Sequence, residues 1–181
     1  HYTLDATAPT EASPVYTGAI PVNSNTVVRA RVYQDNFLPS PPQTRSYIFN
    51  ASHNLPVLLL TANPSDLFSE ETGIYAYGNA YQQDFPHFGA NFWEDWERPA
   101  HFALYQEDGT LEADYDAGVK IFGGWSRALD QRSLSLFARR QYGYGEFDNA
   151  FFDHRPYDSY QALVLRNSGN DWNNTMMRDA T

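Results

Sequence analysis

Apolar and polar positions alternate on a short period along most of the chain. Residues 26–33 read TVVRARVY, with Val27, Arg29, Arg31 and Tyr33 on one face and Val28, Ala30 and Val32 on the other. Period two with a small apolar face predicts a half-buried strand. Residues 1–4 and 45–49 predict two more short strands, set apart by a Pro/Thr/Ser-rich turn at 8–14 and by Pro39, Pro41 and Pro42. Short strands at this spacing suggest a small β-sandwich over residues 1–49. After a polar boundary at 50–56, residues 57–60 form a continuous apolar run, the pattern of a strand buried on both faces. Asn63 to Asp66 form a turn that can open a helical turn ending near Gly73. Residues 100–105 predict a strand, closed by the hairpin signal Asp108-Gly109.

The most informative stretch is 118–140, a strand, a glycine-rich bend and a strand. In 118–122, Val119 and Ile121 share one face while Lys120 and Phe122 share the other. In 133–138, Leu134, Leu136 and Ala138 point one way and Ser133, Ser135 and Phe137 the other. The pair can therefore sit on a core. Gly123 and Gly124 permit positive φ and close backbone approach, which lets a loop aim amides at an anion. Lys120, Arg127 and Arg132 would add positive charge there, and Ser126 a hydroxyl. The same residues also suit an ordinary hairpin, and they fit neither GxxxxGK[ST] nor GxGxxG.

The remaining candidates are weaker. Residues 78–96 carry Tyr81, Phe85, Phe88, Phe92, Trp93 and Trp96, enough aromatic area for the loop to pack as a lid. A platform for stacking sugars or bases is the sharper alternative. Asp108, Glu112, Asp114 and Asp116 are dense enough to suggest calcium, but the EF-hand order is missing and solvated hairpin acids are the expectation. Five histidines show no ligand spacing, and nothing suggests a Ser/His/Asp arrangement, so no metal or catalytic residue is assigned. Residues 160–166 predict a strand, and a helix is expected from Trp172 onward. Arg166, Asp171, Arg178 and Asp179 there would meet a nucleotide or pair with each other.

Composition narrows the classes. The net charge of −10 argues against a nucleic-acid partner, which needs a basic face. No apolar run is long enough for a membrane span. Cysteine is absent, which removes disulfides and thiolate metal sites. Lys120 is the only lysine beside eleven arginines; an acidic, lysine-poor surface suits salty surroundings, and a genomic bias gives the same skew. The chain opens at His1 with no methionine or signal peptide, as expected of a mature product or a cut piece.

Two resemblances add to this. YTLDATAPT, SPVYTGAIPV, TVVRARVY and TRSYIF resemble the later part of the immunoglobulin-like domain at the C-terminus of chitobiases and hexosaminidases, a spacing or docking module. LPVLLLTANPSDLF, ETGIYAYGN, WEDWERPAHFALYQEDG, AGVKIFGGWSRALDQRSLSLFARRQYG and LVLRNSGNDWNNTMMRDA resemble, in order, the N-terminal part of the CotH-type spore-coat kinase family. The two together imply a mainly β (α+β) chain. A partial Ig-like β-sandwich (1–49) precedes a mostly antiparallel, β-rich kinase-like lobe (50–181) with few short helices. An Ig-like module ahead of this block is a familiar arrangement in secreted bacterial proteins, so a secreted or surface location is implied.

Membership also implies transfer of phosphate from ATP to a protein serine with Mg or Mn. Lys120, Gly123, Gly124, Ser126, Arg127, Arg132 and Arg166 are then the nucleotide-facing residues, and a protein substrate or neighbouring domains of the same polypeptide the partners. Two departures restrict the carry-over. Where the family commonly has a basic pair with lysine before the serine, this chain has Gln131 and Arg132 before Ser133. Arginine keeps the charge but not the compact ammonium. The family's catalytic carboxylates lie late in its chain, so the resemblance covers at most a first lobe, expected to be inactive alone. The alternative is a non-catalytic extracellular structural or adhesion segment on the same scaffold.

Overall fold

The computed structural model describes residues 1–49 and 54–167. The helix expected from Trp172, and with it Asp171, Arg178 and Asp179, lies outside them, as do His53 and most of the polar boundary. The chain is mainly β, with antiparallel sheets and few short helices. In order come β1 (Tyr2–Thr3), β2 (Thr26–Ala30), β3 (Gln43–Tyr47), β4 (Val57–Ala62), α1 (Pro64–Phe68), β5 (Arg98–Tyr105), β6 (Leu111–Phe122), β7 (Ser133–Phe137), β8 (Phe147–Asp148), β9 (Ser159–Tyr160) and β10 (Ala162–Leu165). Short 3₁₀ turns at Asn91–Trp93, Trp125–Ala128 and Arg140–Tyr142 interrupt the loops. The strand orders are β1-β2-β3, β10-β7-β6-β5-β4 and β8-β9. Contacts divide the chain into two units: His1–Pro64 with His101–Asp114, and Ser65–Ala100 with the described residues from Tyr115 on.

In the first unit the strand expected at 26–33 departs from the sequence reading. Arg29, Arg31 and Tyr33 were expected opposite a small apolar face of Val28, Ala30 and Val32. Instead Arg29 is buried, Ala30 is exposed and Val32 is 67% exposed. The guanidinium of Arg29 donates to the Ala6 carbonyl at 3.0 Å, and its register partner is buried Thr44. An arginine whose head is bonded and whose stem packs can outcompete an alanine for the interior. The strand ends at Ala30 and the backbone at Val32 turns to its own loop. The Val32 amide donates to Ser40 Oγ at 3.0 Å and the Ser40 amide to Val32 O at 3.1 Å, while the Arg31 side chain donates from Nε to Ser40 O at 2.6 Å. Tyr33 donates its hydroxyl to Pro9 O at 2.6 Å.

The acids suspected of holding calcium have other partners. Asp114 meets Arg45 at 2.7 Å and buried His101 at 3.0 Å. Asp108 accepts the Thr110 amide at 2.8 Å, capping the hairpin, and Glu112 accepts from Gln106. Among the described residues, no group of three His, Cys, Asp or Glu side chains is placed to hold a metal ion.

In the second unit β6, β7 and β10 form the frame of the site. β6 and β7 pair with Val119 opposite Leu136, Ile121 opposite Leu134 and Phe122 opposite Ser133. Val119, Ile121 and Leu136 are buried, as the alternation predicts, but so are Ser133 and Ser135 on the other face. Both faces of β7 are therefore covered. A serine is small enough for close packing, and the Ser133 hydroxyl bonds to Asn167. β10 adds antiparallel to β7, placing Leu165 beside Leu134 and carrying the chain on to Arg166 and Asn167.

Glu97 ties the far end of this sheet together. Arg139 Nε reaches both its oxygens at 2.8 Å, Tyr142 donates to it at 3.0 Å, and a side chain at Gly118 would overlap its carboxylate. Burial pushes the Tyr142 hydroxyl above its ordinary pKa, and the Glu97 carboxylate adds to the rise. Burial, with Asp148 nearby, does the same to Tyr115. A phenol whose folded pKa is raised stabilises the fold fully below about pH 10 and loses that contribution as pH climbs through the folded value. Alkaline titration followed by ultraviolet absorbance is expected to show a late-ionising phase that Tyr115→Phe with Tyr142→Phe removes.

Candidate functional site

The bend after β6 is forced by its glycines. Gly123 has φ +113, a conformation that disfavours any side chain, and a Cβ there would stand 2.6 Å from Ser126 Oγ, which would have to rotate away. Gly124 then leads into the 3₁₀ turn Trp125–Ala128. Gly123, Gly124, Ser126 and Arg127 from this bend meet Ser133 at the start of β7, Arg166 and Asn167 after β10, and Phe122. Together they line a concavity of about 430 Å³. Among the described residues its lining includes two arginines and no carboxylate, in a protein with 22 acidic residues against 12 basic ones.

Two guanidinium groups hold the bend in shape. Arg127 folds back so that Nε donates to the Gly123 carbonyl at 2.6 Å, while Nη1 lies 3.5 Å from the carbonyls of Phe92 and Trp93. Arg132 in turn donates from Nε to the Arg127 carbonyl at 2.5 Å and from Nη1 to the Tyr75 carbonyl at 3.4 Å. It is 7% exposed, with its charge over the rings of Phe92 (4.2 Å) and Tyr75 (4.8 Å). Desolvation pulls its pKa below the ordinary arginine value, countered in part by Tyr75, Tyr77 and Asp130. Turning the Gly123 and Arg127 carbonyls onto guanidinium donors satisfies acceptors that would otherwise repel an anion at the same bend.

The residues expected to face a nucleotide thus divide. Gly123, Gly124, Ser126, Arg127 and Arg166 come together at the concavity. Lys120 and Arg132 are not among its lining. Lys120 projects from β6 to Asp95, with its ammonium 5.9 Å from the Phe137 ring. The Lys120 hydrogen bond and charge lower the Asp95 pKa. Ser133 and Asn167 were missed. Asn167 accepts from Ser133 Oγ at 2.8 Å, returns its own amide to that oxygen at 3.0 Å, and donates from its side chain to Gln131 O. The available signal was pairing register, since setting Leu134 against Leu165 puts Ser133 beside the residues that follow β10.

A larger hollow of about 860 Å³ lies along residues 137–146 and 161–162. It is less suited to an anion, because Glu146 lines it and Arg139 there is bound by Glu97. The aromatic loop is partly the packed element expected. Phe92 is fully buried and Tyr77 packs on Phe92, Tyr81 and His87 with centroids 4.9–5.3 Å apart, whereas Phe85 and Phe88 stay outside.

Residues 1–44 match the family model of the chitobiase/beta-hexosaminidase C-terminal domain. No curated protein and no solved structure matches the chain. Among the described residues no helix is long and apolar enough to cross a membrane.

Proposed function

We propose that residues 50–181 are the phosphate-binding part of a CotH-like protein kinase, preceded by an accessory module and secreted or displayed at a bacterial surface. In this reading the concavity at Gly123, Gly124, Ser126, Arg127, Ser133, Arg166 and Asn167 receives the phosphates of ATP, whose terminal group goes to a serine of a protein substrate. The observation that carries it is the charge of the lining: among the described residues it has two arginines, two hydroxyls and an amide without one carboxylate, in a protein of net charge −10. Glycine bends of this kind bring backbone close to phosphate, and arginine suits phosphate geometry. The described lining residues include no carboxylate for Mg or Mn, so no metal ligand is assigned here and no step is routed through one.

A second reading, a non-catalytic structural segment, draws on one observation. Lys120, Arg127 and Arg132 are all bound to groups of their own fold. Calorimetric titration with MgATP and with tripolyphosphate separates the two. Saturable binding is expected for both ligands, weakened about tenfold by Arg166→Ala through loss of one charge-assisted contact. Absence of binding to both, in this chain and in a C-terminally extended one, would leave the structural segment.

A further inference from the structure

Three aromatic rings of the second unit stand exposed on its surface. Trp125 is 63% exposed, Phe85 54% and Phe88 43%. They come from two separate segments, with the Trp125 centroid 5.9 Å from Phe85 and 6.4 Å from Phe88. Nor is this fraying. The Gln82 amide donates to Phe88 O at 2.9 Å, the His87 amide to Asp84 O at 2.8 Å, and Trp93 Nε1 to Pro86 O at 2.9 Å. His87 is held at φ 61 within this loop. A bonded loop that holds apolar rings in water gives up burial that its neighbour Phe92 obtains, and such exposed clusters mark binding surfaces.

The size and charge of the cluster select the ligand. At about 150–250 Å² per aromatic side chain, the exposed parts sum to roughly 300 Å². A stable protein partner needs about 800 Å² on each side. Residues 78–96, which supply two of the three rings, contain Asp84, Glu94 and Asp95 and no lysine or arginine. Arg127 beside Trp125 is turned onto the carbonyls of Gly123, Phe92 and Trp93. Both features disfavour a polyanion on the rings. The exposed side chains of Gln82, Gln83 and Asp84 provide uncharged and acidic hydrogen-bonding groups in the same loop. A sugar ring matches this combination: its C–H face stacks on an aromatic ring while its hydroxyls bond to amides and carboxylates around it. We propose that Phe85, Phe88 and Trp125 form a binding platform for a neutral glycan chain, with Gln82, Gln83 and Asp84 as its polar rim.

The ring planes meet at 62° and 89°, so the platform is folded and suits successive rings of a soluble chain better than the flat face of a crystalline polysaccharide. This site does not depend on the phosphate reading. The test is calorimetric titration with N-acetylglucosamine hexamer and with cellohexaose, alongside a lysine hexapeptide. Saturable binding of at least one glycan is expected, weakened at least tenfold by Trp125→Ala and by Phe85→Ala but less than threefold by Trp125→Tyr. Circular dichroism establishes that each variant is folded. The proposal is overturned if neither glycan binds, if binding survives Trp125→Ala combined with Phe85→Ala, or if only the peptide binds.

Discussion

Replacing Phe92 by alanine is expected to destabilise the second unit by about 4 kcal/mol, the usual range for emptying a buried phenylalanine site. Phe92 is completely buried. Its ring meets Tyr77 at 5.3 Å and Trp93 at 6.3 Å, and the Arg132 guanidinium lies 4.2 Å from its centroid. Truncation therefore opens a cavity and also strips one aromatic face from a buried charge, a further loss of roughly 1 kcal/mol or more when such a contact is desolvated. The surroundings cannot easily collapse into the space. Neighbouring Asn91 is fixed by bonds to Glu70 O at 3.0 Å and Gly73 O at 3.2 Å, and a side chain at Gly78 would overlap the Asn91 amide. In a unit of about 100 residues a fall of roughly 15 °C or more in the midpoint of near-ultraviolet thermal unfolding corresponds to this cost. A shift under about 3 °C would mean that Phe92 is not the centre of the packing described.

Arg132→Leu is expected to cost about 2–3 kcal/mol and also to weaken triphosphate binding, although Arg132 does not line the concavity. The two losses have one cause. Removing the guanidinium leaves the Arg127 and Tyr75 carbonyls without their donor, and hydrogen bonds from charged donors are worth roughly 1.5–3 kcal/mol each. Some of that is returned, because the charge is buried against carbonyls and rings rather than a carboxylate and its desolvation is relieved. Leucine keeps part of the packing on Tyr75 and Phe92. The effect on binding runs through the backbone: Arg132 holds the Arg127 carbonyl, and Arg127 holds the Gly123 carbonyl. Lysine is not expected to rescue, since one ammonium cannot reach both carbonyls while lying flat on two rings. Urea unfolding gives the first quantity and tripolyphosphate titration the second. Normal affinity in a destabilised Arg132→Leu variant would separate the clamp from the site.

How far the sequence could disclose these features depends on the physics of each. The β6–β7 hairpin was legible because Val119, Ile121, Leu134 and Leu136 alternate cleanly. The first half of β6 was not. Ala113 and Ala117 continue the buried phase of Val119 and Ile121, but Glu112, Asp114 and Asp116 fall between them and give the stretch a solvated look. Only the structure shows Asp114 paired with Arg45 and in contact with His101. Glycine chemistry made the bend at Gly123 predictable, whereas the destination of each arginine was not. Burial of Arg29 and Arg132 depends on carbonyls distant in sequence, at Ala6 and Tyr75, which no periodicity encodes. Ser133 and Asn167 became neighbours through the β7–β10 register alone. The aromatic loop carried both outcomes in one composition, with Phe92 inside and Phe85 outside, and the difference comes from its turn bonds.

The most direct test of the phosphate site is an amide NMR titration of this chain with tripolyphosphate. Saturable shifts are predicted for Gly123, Gly124, Ser126 and Asn167, with a common midpoint that moves to higher concentration in Arg166→Ala. Shifts confined to other surfaces, or none at those four amides, would contradict it.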